Sequence, residues 1–243
     1  MPRFFCEEID GGHATIRGED ARHLTRVLRA RVGEPLTLCD LHGFDYDCVV
    51  AEVDADCVNL TVLKRYPNET EPSARITLYQ ALPKGDKLDF IVQKATELGA
   101  AEIVPVLTQY CVARADSKSF SKKRARLQKI ALEAAKQSGR GIIPTVSDIL
   151  NFDQMLTEFE ERGTEEPALV FYEGGGARVD ELVPAGAKSA SLLIGSEGGF
   201  SEEEIARCEA AGIHAATLGR RILRCETAPI AAITLALHAV GEL

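Results

Sequence analysis

No stretch of this 243-residue sequence approaches the roughly 20 consecutive apolar residues that cross a bilayer. The N-terminus, MPRFFCEEID, lacks the apolar core of a secretory signal. The seven cysteines are odd in number, scattered, and contain no C-x-x-C pair. They read as reduced thiols of a cytoplasmic protein. Both phosphate-binding fingerprints, GxGxxG and GxxxxGK[ST], are missing, which argues against a Rossmann-type or P-loop nucleotide enzyme. Cys39, His42, Cys48 and Cys57 come closest to a metal set, but compact ligand pairs are lacking on the second side and Cys48 and Cys57 sit in strand-like runs. Structural cysteines, and no metal, is the better reading.

Positive charge is scarce overall: the formal net charge is −9, which superficially disfavours a polyanionic partner. The distribution says otherwise. Residues 1–71 net −6, residues 72–150 net +6, residues 151–217 net −10 and residues 218–243 net +1. Segregated charge creates local fields that the total conceals. Nine basic residues fall within 114–140, among them Arg114, Lys118, Lys122, Lys123, Arg124, Arg126 and Arg140, against Asp116 and Glu133. A solvated helix face is the ordinary explanation, yet such a run also suits phosphate steering. A second basic surface is expected on EDARHLTRVLRARVGE. At helical spacing Arg22, Arg26 and Arg29 share one face, with Leu24, Val27 and Leu28 opposite. An elongated polyanion such as RNA could bridge the two.

The chain changes texture near RYPNETEPSAR (65–75), the best linker candidate. Before it, alternating runs such as PLTLCD and YDCVVAEV predict short strands. After it, strands alternate with helices from ITLYQAL through SLLIG to IHAATLG, which implies βαβ units and a mostly parallel sheet. The last segment, PIAAITLALHAVG, is a helix without charge from Pro229 to Gly241, expected to be buried all round, in the interior or at a subunit interface.

Two segments carry the candidate chemistry. In LLIGSEGGFSEEE, Ser201 and Glu204 have capping-box spacing, so Gly195–Gly199 is a strand-to-helix turn at the carboxyl end of a parallel strand. Open α/β sheets bind ligands there, and the glycines permit close backbone approach. Glu197 and Glu202–Glu204 would repel an anion, so a neutral or cationic ligand fits; a tight turn before a well-capped helix is the plainer alternative. In LGRRILRCETAPIAAIT, Arg220, Arg221, Arg224 and Glu226 crowd a loop before Pro229. These arginines could equally pair with surface acids.

Together, IGSEGGFSEEE and LGRRILRCETAPIAAI closely resemble the paired C-terminal motifs of the RsmE family, methyltransferases of the SPOUT superfamily that modify a uridine at N3 in small-subunit (16S) ribosomal RNA. KGDKLDFIVQKATELGAAEIVPV and EAAKQSGR resemble its internal motifs, and HLTRVLRARVGE its N-terminal one. The resemblance spans essentially the whole chain. It implies an α/β fold with a SPOUT-type domain at 74–243, carrying a deep trefoil knot and a mostly parallel sheet, and a small β-barrel-like, PUA-type RNA-binding domain at 1–70. It further implies a homodimer, S-adenosyl-L-methionine as cofactor, and 16S ribosomal RNA or the assembled small subunit as partner. Ile194, Gly195, Ser196, Glu197, Gly198, Gly199, Leu218, Gly219, Ile222, Leu223 and Thr227 would hold the cofactor. Arg224 is expected to stabilise the uridine anion, while Glu226 or Glu197 accepts its proton or fixes the arginine. A competing role for Glu226 is to pair with Arg220 or Arg221. Arg22, Arg26, Arg29, Lys122, Lys123, Arg124, Arg126 and Arg140 would contact RNA. The family usually has proline at Ser196 and threonine at Cys225. The alternatives are a SPOUT enzyme acting on another RNA such as transfer RNA, or a non-catalytic RNA-binding assembly factor.

Overall fold

The computed structural model describes residues 1–54, 56–112, 117–162 and 166–243. Arg114 and the side chain of Lys118, from the basic run, lie outside the described residues. The chain forms two compact units, one of Met1–Glu71 with Ala135–Ile143 and one of Pro72–Ala134 with Pro144–Leu243.

The first unit is a six-stranded sheet of β1 (Arg3–Phe5), β2 (Ile9–Asp10), β3 (His13–Arg17), β4 (Pro35–Cys39), β5 (Phe44–Val53) and β6 (Cys57–Pro67), in the order β1-β4-β5-β6-β3-β2. Only β1–β4 is parallel. Register shifts at Asp47/Cys48 and Val50/Glu52 break the long β5–β6 ladder, and such bulges bend a strand and raise its twist. Phe4, Ile16, Leu24, Leu36, Leu38, Val50, Val58 and Leu60 fill its core. Arg65–Pro67, expected in the linker, complete β6.

The single amphipathic helix expected after β3 is shorter than its sequence pattern. Helix α1 (Gly18–Arg22) passes into a π-helical turn, His23–Val27, and Arg29 takes a left-handed φ of 53°. The wider turn moves side chains off the 100° spacing. Leu24 remains buried, whereas Val27 is 65% exposed and Leu28 also faces solvent.

The segment Ala135–Ile143 joins the first unit through specific polar contacts, an outcome that a single linker does not anticipate. Arg140 is 3% exposed, and its Nε and Nη2 donate to Glu71 Oε1 and Oε2 at 3.1 and 2.6 Å. The main-chain N–H groups of Gly141 and Ile142 also donate to Glu71 Oε1. Arg3 binds both oxygens of Asp45 at 2.7 Å and reaches the Arg140 carbonyl. Arg140, expected to contact RNA, is therefore a buried structural cation.

The second unit is a parallel sheet of β7 (Arg75–Ala81), β8 (Glu102–Leu107), β9 (Thr145–Val146), β10 (Leu150–Asn151), β11 (Ala168–Phe171), β12 (Ser189–Ile194) and β13 (His214–Ala216). Its order is β10-β8-β7-β12-β11-β13, with β9 also on β8. Residues 76–81 of β7 are all buried, as are residues 190–194 of β12, because helices cover both faces. On one side Phe152, Met155, Leu156 and Phe159 of α4 (Phe152–Arg162) meet Ile205 and Cys208 of α6 (Glu202–Ala210) over Tyr79, Val170 and Leu193. On the other, α7 (Ala228–Val240) contacts β7, β12, α2 (Lys87–Glu97) and α5 (Val179–Leu182). The remaining helix, α3 (Ser117–Ser138), leads into the Ala135–Ile143 excursion.

Helix α7 is not buried all round within one chain. Pro229, Ala232, Ile233, Ala236, Leu237 and Val240 face inward, but Leu235 is 41% exposed and Ile230, Ala231 and Thr234 are half-buried. An uncharged helix with an outer face in water is incomplete as it stands.

Removing one partner of a buried ion pair strands the other charge, at a cost of about 3 kcal/mol or more. Glu71→Ala should therefore lower the unfolding free energy of the first unit by that order, read as a lower urea midpoint. Exchange of Glu71 for alanine with no change in midpoint would show that Arg140 finds another partner.

Candidate functional site

In a parallel sheet every strand delivers its carboxyl end to the same edge. Three such ends, from the neighbours β12, β11 and β13, surround a cleft of about 830 Å³, and the chain leaving β7 adds Lys87 to it. Its walls are Phe171–Gly175 after β11, Ile194–Glu197 with Gly199 and Phe200 after β12, Thr217–Cys225 after β13, and Lys87 and Ala228 at the starts of α2 and α7.

The turn after β12 is closed by main chain. The Gly199 N–H donates to the Ser196 carbonyl at 3.1 Å, and Gly199 adopts φ 66°, a conformation suited to glycine. Helix α6 then starts on the expected capping box. Glu204 N–H donates to Ser201 Oγ at 3.2 Å, and Ser201 N–H to Glu204 Oε2 at 3.0 Å. Glu204 Oε1 also accepts from Gln109 N–H at 2.7 Å, tying the turn to the end of β8. Beneath it, Gln80 Nε2 donates to the Gly195 carbonyl at 3.2 Å.

Ile194, Gly195, Ser196, Glu197, Gly199, Leu218, Gly219, Ile222 and Leu223, all expected at the cofactor, line this cleft. Gly198 and Thr227 do not. A Cβ on Gly198 would lie 2.7 Å from Tyr110 Cβ, so this glycine serves packing. Thr227 stands at the N-cap position of α7 without a side-chain capping bond, and its N–H donates to the Arg224 carbonyl at 2.8 Å. Arg224 lines the cleft, exposed, with no ion pair among the described residues.

The carboxylates meet a partner that sequence reasoning missed. Lys87 Nζ stands 2.9 Å from Glu197 Oε1 and 3.4 Å from Glu226 Oε2. Pairing of Glu226 with Arg220 or Arg221 is thereby replaced by pairing with Lys87. Burial pushes the Glu197 carboxyl up, but its hydrogen bonds to Lys87 and to main-chain N–H groups outweigh that and hold it below the usual range. Glu226 is also held low, first by the Cys225 thiol, which donates to Oε2 at 3.2 Å. Burial, then the neighbouring Glu226, lifts Cys225 to about 12, so it remains a thiol.

Sequence reasoning also passed over Phe171–Gly175. A glycine triplet after a strand, as in LVFYEGGG, was the available signal. A Cβ on Gly176 would sit 2.4 Å from the Ala215 carbonyl oxygen, a backbone approach only glycine tolerates.

The basic residues separate by their partners. Arg124 pairs with Asp148 at 2.8 Å, and Arg126 with Asp89 at 2.8 Å and Asp86 at 3.5 Å. Arg22 lies 3.6 Å from Asp56, both exposed. Arg26, Arg29, Lys122 and Lys123 make no ion pair among the described residues. No group of three His, Cys, Asp or Glu among the described residues could hold a metal ion, and no helix among them is long and apolar enough to cross a membrane.

The cleft fits S-adenosylmethionine by its chemistry. Glycine loops offer main-chain donors and acceptors, and Phe171, Ile194, Leu218 and Leu223 give apolar walls. Ser196 Oγ, in a residue 7% exposed, has no partner of its own. Glu197 and Glu173 suit a cation rather than a phosphate.

Comparison with known proteins agrees. Residues 69–237 match the RNA methyltransferase domain model and residues 16–63 the RNA methyltransferase PUA domain model. The chain is 36% identical over 235 residues to the ribosomal RNA small subunit methyltransferase E of Bacillus subtilis, covering 92% of this chain and 91% of that protein. The corresponding Neisseria gonorrhoeae enzyme, solved with S-adenosyl methionine, superposes with a TM-score of 0.85 at 33% identity, covering 96% and 95% of the two chains. A Legionella pneumophila putative methyltransferase with bound S-adenosylmethionine gives 0.87 at 30% identity, covering 98% and 97%. With both domain models matched in order and full-length relatives above 30% identity, this chain belongs to the ribosomal RNA small subunit methyltransferase E family.

Proposed function

We propose that this protein methylates N3 of a uridine in 16S ribosomal RNA, using S-adenosylmethionine held in the cleft after β12, β11 and β13. The observation that carries this reading is the coincidence of glycine loops, an open arginine and a lysine-bridged pair of carboxylates at one sheet edge. When bound, S-adenosylmethionine supplies an electrophilic methyl group on a sulfonium sulfur. The protein's task is to present N3 in line with it and to remove the N3 proton as the N–C bond forms.

Glu226 is the better proton acceptor of the two carboxylates. Both oxygens of Glu197 are engaged, accepting from Lys84 N–H at 3.2 and 3.3 Å and from Lys87. The contacts of Glu226 fall on Oε2, which leaves Oε1 to take a proton. Arg224 then neutralises the negative charge developing on the uracil ring. N3 lies on the pairing edge, so the base must be unpaired or extruded to reach this site. Arg26, Arg29, Lys122 and Lys123 are the cations free to hold RNA phosphates, a role that positions without reading sequence.

The same reading includes a first domain over 1–70 acting on RNA, a second over 74–243 that transfers the methyl group, and action in the cytoplasm. It also includes the trefoil knot that the family resemblance implies, with the loop Thr217–Cys225 lining the cleft before α7 packs on β7 and β12. A homodimer through the outer face of α7 accounts for an uncharged helix that one chain leaves half in water.

Incubation with methyl-labelled S-adenosylmethionine and undermodified small ribosomal subunits should place the label in 3-methyluridine, identified by nucleoside mass spectrometry. Label in another nucleoside, or only in transfer RNA, would refute the substrate. Arg224→Ala should lower the single-turnover rate about 100-fold at saturating RNA and cofactor, as loss of one preorganised charge does, with little change in unfolding midpoint. An unchanged rate excludes the role given to Arg224. Leu235→Glu should convert the dimer to monomer in light scattering; a variant that stays dimeric places the interface elsewhere.

A further inference from the structure

Lys87, at the first turn of α2, touches both loops bearing the candidate carboxylates. Besides Glu197 and Glu226, its Nζ lies 3.7 Å from Cys225 Sγ. Glu197 and Glu226 are near neighbours, since both fall within 3.4 Å of one nitrogen. Other charges around this group are placed differently. Asp86 and Asp89 of α2 pair with Arg126, while Glu173, Arg220, Arg221 and Arg224 line the cleft without ion pairs among the described residues. Lys87 thus supplies the compensating charge where two anions meet.

We propose that Lys87 is a positioning residue for methyl transfer, one that staples the Glu197 loop to the Glu226 loop and keeps Glu226 unprotonated and ready to accept the uridine proton. This rests on reading Glu226 as the proton acceptor. Two carboxylates around one ammonium lose its compensating charge when it is removed, so at least one carboxyl should move up without Lys87. Both carboxyls lie below their ordinary range. Against the upward push of burial, Glu197 is held there through Lys87 and main-chain N–H groups. Glu226 is held first through the Cys225 thiol and a main-chain hydrogen bond, with Lys87 adding to them. Their ion contacts are therefore intact at neutral pH and lost as pH falls through those lowered values. The lysine itself is held protonated, first by its hydrogen bond to Glu197. It is consequently no base.

The test separates this role from simple scaffolding. Carboxyl carbons of Glu197 and Glu226 are followed by NMR against pH in the cofactor-free protein, assigned with Glu197→Gln and Glu226→Gln, for wild type, Lys87→Met and Lys87→Arg. Lys87→Met should raise one carboxyl by at least one pH unit, and the acid limb of the single-turnover methylation rate should rise with it. Lys87→Arg should restore both. Unmoved titrations in Lys87→Met, whatever its rate, would overturn the proposal and leave Lys87 a packing residue. A Glu226→Gln variant that methylates at the wild-type rate would instead sink the proton-acceptor reading, independently of the titrations.

Discussion

The site depends on the direction of the sheet. Because the strands of the second unit are parallel, β7, β12, β11 and β13 all release their chains at one edge, as neighbours. Helices bury both faces of that sheet, so the edge is rigid and its loops start from fixed points. Strand order does the rest. β8 and β12 flank β7, so the chain departs from β7 in one direction and later returns on the other side. The crevice at such a reversal is where an open α/β sheet has room for a ligand. Antiparallel strands would have sent half of these loops to the opposite edge.

Charge is organised by the same principle of fixed starting points. A basic side chain is available to a phosphate only if the fold has not already spent it. Arg140 is buried and bound to both oxygens of Glu71, a carboxylate that also accepts from the Gly141 and Ile142 N–H groups. Arg124 is engaged with the exposed Asp148, and Arg126 with the exposed Asp86 and the half-buried Asp89; the exposed pairs are ones that water screens and a polyanion can replace at little cost. Arg26, Arg29, Lys122 and Lys123 need no release. A run of basic residues therefore resolves into three classes of different worth to RNA.

Much of this was legible locally. The strands and helices of the second unit, the Ser201–Glu204 capping box and two of the glycine loops all rest on interactions within a few residues. Those are the interactions that spacing encodes. What escaped was non-local. Nothing near Lys87 signals that its partners stand more than a hundred residues away in Glu197 and Glu226. Nothing near Arg140 signals Glu71. The π-turn after Arg22 escaped for another reason, since a helical wheel assumes 100° per residue and His23–Val27 depart from it. For α7, the absence of charge predicts burial all round, which the single chain provides on one face only.

The two departures from the family pattern show how labour is divided at the site. Where the family usually has proline, Ser196 still closes the turn, because the closing bond runs from Gly199 N–H to the Ser196 carbonyl and needs no particular side chain. Its hydroxyl is buried and without a partner of its own, in a residue that lines the cleft. Where the family usually has threonine, the Cys225 thiol donates a hydrogen bond to Glu226, a bond that a hydroxyl could also donate. On the function proposed, both positions can differ because main-chain groups of the loops lining the cleft meet the cofactor, whereas Lys87, Glu197, Arg224 and Glu226 each contribute a charge that no backbone atom replaces.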